Sequence, residues 1–201
     1  MSILTKIIPK KGDSLFLWAL EEDEAFFKAQ LPENVIVQTS GFQDPMRRTQ
    51  WLAVRHLLKS CGFPFEVSYA ESGQPIIEHH RISISHTPKI VGVYISCELQ
   101  GLDLELPHNR ILRISNRFMN GQEQKLFGTT DTEILTLIWS TKEALFKKYG
   151  AETTFFASNQ NVLSIDHENQ TVHAEVKIME KWISEQLHFR QILDHYLVYT
   201  T

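Results

Sequence analysis

Between Arg81 and Leu106 the chain passes through three stretches that alternate apolar and polar residues, and this alternation constrains its fold more than any other feature. Arg81 to Ser85 sets Ile82 and Ile84 against Ser83 and Ser85. Ile90 to Ser96 sets Val91, Val93 and Ile95 against Gly92, Tyr94 and Ser96. Leu102 to Leu106 sets leucines against Asp103 and Glu105. A period of two sends successive side chains to opposite faces of an extended chain, so these stretches are expected as half-buried strands. Two helices are as clearly marked. Asp44-Pro45 joins an N-cap residue to a proline suited to the first helical position; that helix is expected to reach about Ser60, with Gly62 just past its end and Pro64 beyond. The second is expected from about Thr132 to Tyr149, opened by a Thr130-x-x-Glu133 capping box and closed before Gly150.

The other segments carry weaker marks. A strand is expected over 14–20, a short helix within 21–31 and an irregular segment over 33–44. Short strands over 66–70 and 75–77 would flank a turn at Ser72-Gly73, and a helical stretch is expected around 110–127. The tail reads as a hairpin (162–165 and 172–178, turn at 167–170), followed by strand-like pieces near 187–192 and 196–200. Helices and strands mix without regular β-α-β alternation, which predicts an α+β fold.

Residues 51–62 (WLAVRHLLKSCG) and 139–150 (WSTKEALFKKYG) share Trp, Leu, Lys and Gly at matching places. Two amphipathic helices with glycine caps match partly by chance. A true duplication implies two similar halves meeting near residue 100, with a site between them.

The composition excludes several classes of function. In 201 residues, 42% hydrophobic, the chain can build a full core. A net charge of −4 argues against bulk nucleic-acid binding, which wants a basic domain. An anionic ligand would need a local cluster of cations. Cys61 and Cys97 are too few for a disulfide framework and fit a reducing compartment, hence a cytoplasmic location. No stretch resembles a secretory leader or a membrane span.

Four constellations can carry chemistry. Asp103 and Glu105 fall on one face of their strand, with Cα atoms roughly 6–7 Å apart. Two such carboxylates repel unless a cation lies between them or one is protonated, and oxygen ligands suit a hard ion such as Mg²⁺. The alternative is a solvated acidic face. On the second helix, Ile134, Leu137, Ile138, Thr141, Leu145 and Tyr149 form a core stripe. Trp139, Lys142, Glu143, Phe146 and Lys147 form a second stripe, either a polar binding surface or an exposed face. Lysine suits a phosphate, and Glu143 can be a third metal ligand. On the first helix Arg48, Arg55 and Lys59 share a side and Arg47 and His56 lie on neighbouring rows, the densest basic cluster in the chain. Finally, Ser85-His86-Thr87 ends a strand, where His86 can donate to a phosphate. A serine hydrolase is not supported: Ser85 and His86 point to opposite faces, and no G-x-S-x-G elbow is present.

In this order the motifs resemble those of the 4′-phosphopantetheinyl transferases, the two-halved type that activates carrier proteins of peptide, polyketide and fatty-acid synthases. The motifs are SHT (85–87), LQGLDLE (99–105) and WSTKEALFK (139–147), and they place most of residues 45–150 within the resemblance. The resemblance implies transfer of phosphopantetheine from coenzyme A to a carrier-protein serine, with release of adenosine 3′,5′-bisphosphate. It implies two similar α+β subdomains related by a pseudo-two-fold with the active site at their interface, residues 1–100 on the coenzyme side and 101–201 carrying the metal and catalytic carboxylates. By matching position, Asp103, Glu105 and Glu143 hold Mg²⁺. Lys147, with Lys142, faces the phosphates. Arg47 or Arg48 meets the 3′-phosphate with His86, and Ser85 lines the same pocket. Gly73-Gln74-Pro75 matches a Gly-Lys-Pro turn on the adenine side. Glu123, in RFMNGQE (117–123), matches the proposed general base.

There are departures: Gln74 replaces a lysine, Thr87 replaces a serine, and only Lys28 stands in for lysines near the N-terminus that some members use for phosphate. Carrier proteins are acidic around the modified serine. Arg110, Arg113, Arg117 and Lys125, with Phe118, Met119, Leu126 and Phe127 among them, either dock the carrier or, for the apolar four, pack under the second helix. Two fused halves imply a monomer. The rival expectations are a non-catalytic coenzyme A or carrier-protein binding module on the same fold, and a plain α+β interaction domain.

Overall fold

The computed structural model describes residues 3–71 and 73–201, so Ser72 of the expected turn lies outside them. The fold is α+β, in two compact units that divide between Glu98 and Leu99. None of the described helices is long and apolar enough to cross a membrane.

The first unit contains β1 (Ile3–Ile7), β2 (Ser14–Ala19), α1 (Glu24–Gln30), α2 (Glu33–Ile36), α3 (Pro45–Ser60), β3 (Ser68–Tyr69), β4 (Pro75–Ile77), β5 (His80–His86) and β6 (Ile90–Ser96). Its sheet has the order β1-β2-β6-β5-β4-β3, antiparallel throughout. Helix α3 begins as its caps require: Asp44 accepts from the Met46 N–H at 2.9 Å and Pro45 opens the first turn. Its apolar side (Leu52, Leu57, Leu58) shares a core with Val91, Val93 and Ile95 of β6.

Three expectations need correction here. Strand β1 was not foreseen, and part of the supposedly irregular 33–44 segment is helical. Strand β6 is buried on both faces rather than one, because the polar groups of its second face find protein partners: the Tyr94 hydroxyl donates to Asp13 at 2.7 Å, and Ser96 Oγ accepts from the Glu98 N–H at 3.0 Å.

The second unit contains β7 (Leu102–Glu105), α4 (Arg110–Phe118), α5 (Gly121–Phe127), α6 (Thr132–Tyr149), α7 (Phe156–Asn159), β8 (Gln160–Asp166), β9 (Thr171–Ile178), β10 (Lys181–Ile192) and β11 (His195–Thr200). Its antiparallel sheet has the order β7-β11-β10-β9-β8. Helix α6 has the expected bounds, but Asp131 caps it, accepting from the N–H groups of Glu133 (2.8 Å) and Ile134 (3.1 Å). Glu133, assigned above to a capping box, accepts instead from the Tyr196 hydroxyl at 2.9 Å. The helical stretch around 110–127 is two helices. Asn120 breaks it, with its side chain accepting from the N–H groups of Gln122 and Glu123 while Glu123 reaches back to the Asn120 N–H.

Candidate active site

Strand β7 carries the two carboxylates on an edge of the second sheet. Leu102 and Leu104 are buried on one face; Asp103, on the other, is 3% exposed rather than solvated. The depth follows from Gly101. A Cβ there would stand 1.8 Å from the Ala144 carbonyl oxygen, so only glycine lets the start of β7 lie this close against α6. The strand is fixed at that point by reciprocal bonds: Gly101 N–H donates to Thr200 Oγ1 and Thr200 N–H to the Gly101 carbonyl, both at 3.0 Å.

Across from β7, Trp139, Glu143 and Lys147 recur at every fourth residue of α6 and line one side of it. Lys147 Nζ pairs with Asp103 Oδ1 at 2.7 Å and donates to the Leu102 carbonyl at 3.0 Å. The Trp139 indole N–H donates to Glu105 Oε1 at 3.0 Å. Burial, reinforced by the charge of Asp103, pushes the carboxyl groups of both Glu105 and Glu143 up to about 7. Three carboxylates thus share one neighbourhood with one lysine, too little positive charge to neutralise them. That donor set fits a hard divalent cation. Among the described residues no three His, Cys, Asp or Glu side chains are arranged to hold a metal ion as they stand.

A cavity of about 480 Å³ opens beside Glu143, walled by Trp139, Phe146, Phe118 and Phe156, with Arg117 on its rim. A smaller one of about 210 Å³ borders Glu105, His108 and Arg110.

Two expected members of the site are not in it. Lys142 does not face solvent or phosphate. It is fully buried, ion-paired with Glu123 at 2.7 Å and bonded to the carbonyls of Phe118 (2.7 Å), Gln160 (3.0 Å) and Phe156 (3.2 Å). The helical period placed it in the polar stripe; the packing of α4, α5 and α7 closes over it. Glu123 is 1% exposed, and its oxygens are occupied by Lys142 and by the N–H groups of Asn120 and Val162, each at 2.8 Å. As placed, the carboxylate expected as general base is engaged by three donors within the protein. Of the residues considered for docking, Arg110, Arg113, Arg117 and Lys125 are exposed, as is Leu126, whereas Phe118 and Met119 are core.

The first unit holds a cavity of about 360 Å³. Helix α3 and the end of β5 supply Arg47, Gln50, Trp51, Arg55 and His86, and the β3–β4 hairpin adds Tyr69. The two adjacent arginines part ways. Arg47 is exposed, its guanidinium 5.0 Å over the Phe42 ring at the cavity. Arg48 turns away to Glu24 (3.0 Å) and the Phe42 carbonyl (2.8 Å). Arg55 belongs to the basic row expected on this helix, but it is buried and not on a surface face. It is 2% exposed, with its guanidinium carbon 3.1 Å from the Trp51 ring centroid, and donates to the Trp51 carbonyl; burial brings its pKa down to about 10. Trp51, four residues earlier, gives the guanidinium a face to rest on. Lys59 donates to the Gln30 carbonyl and Lys28 pairs with Glu24, so the basic row is not one continuous anion surface.

His86 lines this cavity and Ser85 does not, since alternation along β5 sends the buried Ser85 to the other face of the sheet. The expectation that both share one pocket is corrected accordingly. Gly73, at φ +81°, donates its N–H to the Ala70 carbonyl at 2.8 Å in the β3–β4 connection, the Ala70 N–H donates to the Gln74 carbonyl, and Pro75 pairs with Tyr69. The hairpin brings Tyr69 to the cavity, while Gly73, Gln74 and Pro75 stand outside its lining.

Compared with known proteins, residues 100–200, half of the chain, match the family model of the 4′-phosphopantetheinyl transferase superfamily. No curated protein matches the chain.

Proposed function

Because the chain belongs to the 4′-phosphopantetheinyl transferase superfamily, and so performs phosphopantetheinyl transfer in the general sense, we propose that it moves 4′-phosphopantetheine from coenzyme A to a serine hydroxyl of an apo acyl or peptidyl carrier protein, releasing adenosine 3′,5′-bisphosphate. The observation that carries this reading is the convergence of Asp103, Glu105, Glu143 and Lys147 on neighbouring faces of β7 and α6. Asp103, Glu105 and Glu143 would hold Mg²⁺. An ion held there would supply positive charge against the pyrophosphate. Lys147 would pass from Asp103 to a phosphate oxygen as charge builds on the leaving group. In the first unit Arg47, Arg55 and His86 present two guanidinium groups and an imidazole to one cavity, a donor set suited to the coenzyme's 3′-phosphate. The carrier would meet the exposed arginines of α4. Glu123 has no part in the proton transfer. We read the protein as a cytoplasmic monomer; both cysteines are free.

The test is incubation with coenzyme A, Mg²⁺ and apo carrier proteins, followed by intact-mass analysis of the carrier. Added phosphopantetheine mass that does not form when EDTA is present from the start supports the reading. Coenzyme A raising the melting temperature while no carrier gains mass would point to the binding module instead, and neither effect to the interaction domain.

A further inference from the structure

The transferase reading gives Trp139 no task, yet its indole N–H donates to the Glu105 carboxylate at 3.0 Å. The ring is well fixed. It meets Phe118 edge-on at 5.3 Å and leans on Phe156 at 5.5 Å, and it forms a wall common to both cavities of the second unit. Glu105 needs such a hold. Asp103 and Glu143 both oppose its charge; the charge of Lys147 favours it, but the 2.7 Å ion pair of Lys147 is with Asp103. Glu105 also borders the cavity of about 210 Å³, empty space into which a repelled side chain can rotate. An indole donor adds no charge, occupies one lone pair of Oε1 and leaves the rest of the carboxylate available to an ion.

We propose that Trp139 is a positioning residue whose indole N–H holds the Glu105 carboxylate beside Asp103 and Glu143, ready for a divalent cation. This rests on the metal reading above. Groups that orient metal ligands in this way typically contribute about 10- to 100-fold in metal affinity.

The experiment is calorimetric titration of the full chain with MgCl₂, together with transfer kinetics at varied Mg²⁺. Trp139→Phe keeps an aromatic body and deletes the donor. A second variant with β-(3-benzothienyl)alanine at 139 keeps the outline of the indole and replaces its N–H by sulfur. Both are expected to weaken Mg²⁺ binding by about 10-fold or more and to raise the KM for Mg²⁺ in parallel, with kcat at saturating Mg²⁺ within a few-fold of the unmodified chain. The proposal is overturned if both variants bind Mg²⁺ like the unmodified chain, or if Trp139→Phe loses affinity and the benzothienyl variant does not, since packing would then be the cause. An unmodified chain that takes up no Mg²⁺ removes the metal reading itself, and the proposal with it.

Discussion

Replacing Gly101 by alanine tests whether the close approach of β7 to α6 builds the cluster. The new Cβ would stand 1.8 Å from the Ala144 carbonyl oxygen, where ordinary contact begins at 3.4 Å, so strand and helix must separate by about 1.6 Å. The Cβ is held in place by its own backbone and the oxygen it meets is backbone, so no side-chain rotation relieves the conflict. The displacement carries Asp103 and Glu105 away from Glu143 and Lys147 and stretches the paired bonds to Thr200. Overpacking of this kind costs about 3 kcal/mol at the upper end of its usual range, a melting temperature lower by roughly 6–12 °C for a chain of this size. A misplacement above 1 Å in a phosphoryl-transfer site costs on the order of 100-fold in rate. Melting would be followed by differential scanning fluorimetry, and turnover by the mass of the modified carrier. Gly121→Ala is the control: nothing lies within 4 Å of its new Cβ, and stability should hold or rise by a few tenths of a kcal/mol. If Gly101→Ala melted with the unmodified protein and kept its turnover, the steric account of the site would be refuted.

Three further outcomes are expected. Folding raises the Glu143 pKa from 4.5 to about 7, so between those values the folded state holds the extra proton and stability falls as pH rises, by at most about 3 kcal/mol. Melting scans from pH 4.5 to 7.5 should show that decline in EDTA and a flatter profile in excess Mg²⁺; a rise with pH in EDTA would contradict the assigned environment. Arg47→Ala should raise the KM for coenzyme A about 10- to 100-fold with little change in melting temperature, whereas Arg48→Ala should chiefly lower the melting temperature through loss of Glu24 and the Phe42 carbonyl; steady-state kinetics and fluorimetry showing the reverse pattern would exchange their roles. Lys142→Met leaves Glu123 buried with its countercharge gone and should cost about 3–5 kcal/mol in urea unfolding, while Lys142→Met with Glu123→Gln should cost clearly less than the two single changes summed; strict additivity would mean the pair does not act as one.

The bounds of α3 and the end of α6 were readable because they are punctuated by groups acting on the local backbone, Asp44-Pro45 and Gly62 at one and Gly150 at the other, while the start of α6 was placed correctly but credited to Thr130 and Glu133 instead of the Asp131 cap. The carboxylate cluster was readable for a similar reason: a period of two puts Asp103 and Glu105 on one face, and steps of four put Trp139, Glu143 and Lys147 on one side of a helix. Periodicity fails where the neighbours decide. Lys142 falls beside Glu143 on the helix surface, and only the packing of α4, α5 and α7 makes it an interior residue. Glu123 resembles a surface glutamate until Asn120, Val162 and Lys142 close around it. Strand β1 and the first half of β10 lack clean alternation, since their exposed residues are free to vary in polarity; their place is set by pairing with β2 and β9.

The buried Lys142–Glu123 pair also has a consequence for transplanting parts of this chain. A single ammonium ties the end of α4, the first turn of α5, α7 and the start of β8 to α6. A chimera that imports a foreign α4–α5 segment to change carrier preference would inherit that junction as a lock. The graft has to supply its own carboxylate at the third residue of α5 and a carbonyl where Phe118 now ends α4, or the recipient helix is left with a stranded charge. Exchanges that leave residues 118–123, Lys142, Phe156 and Gln160 in place keep the lock intact.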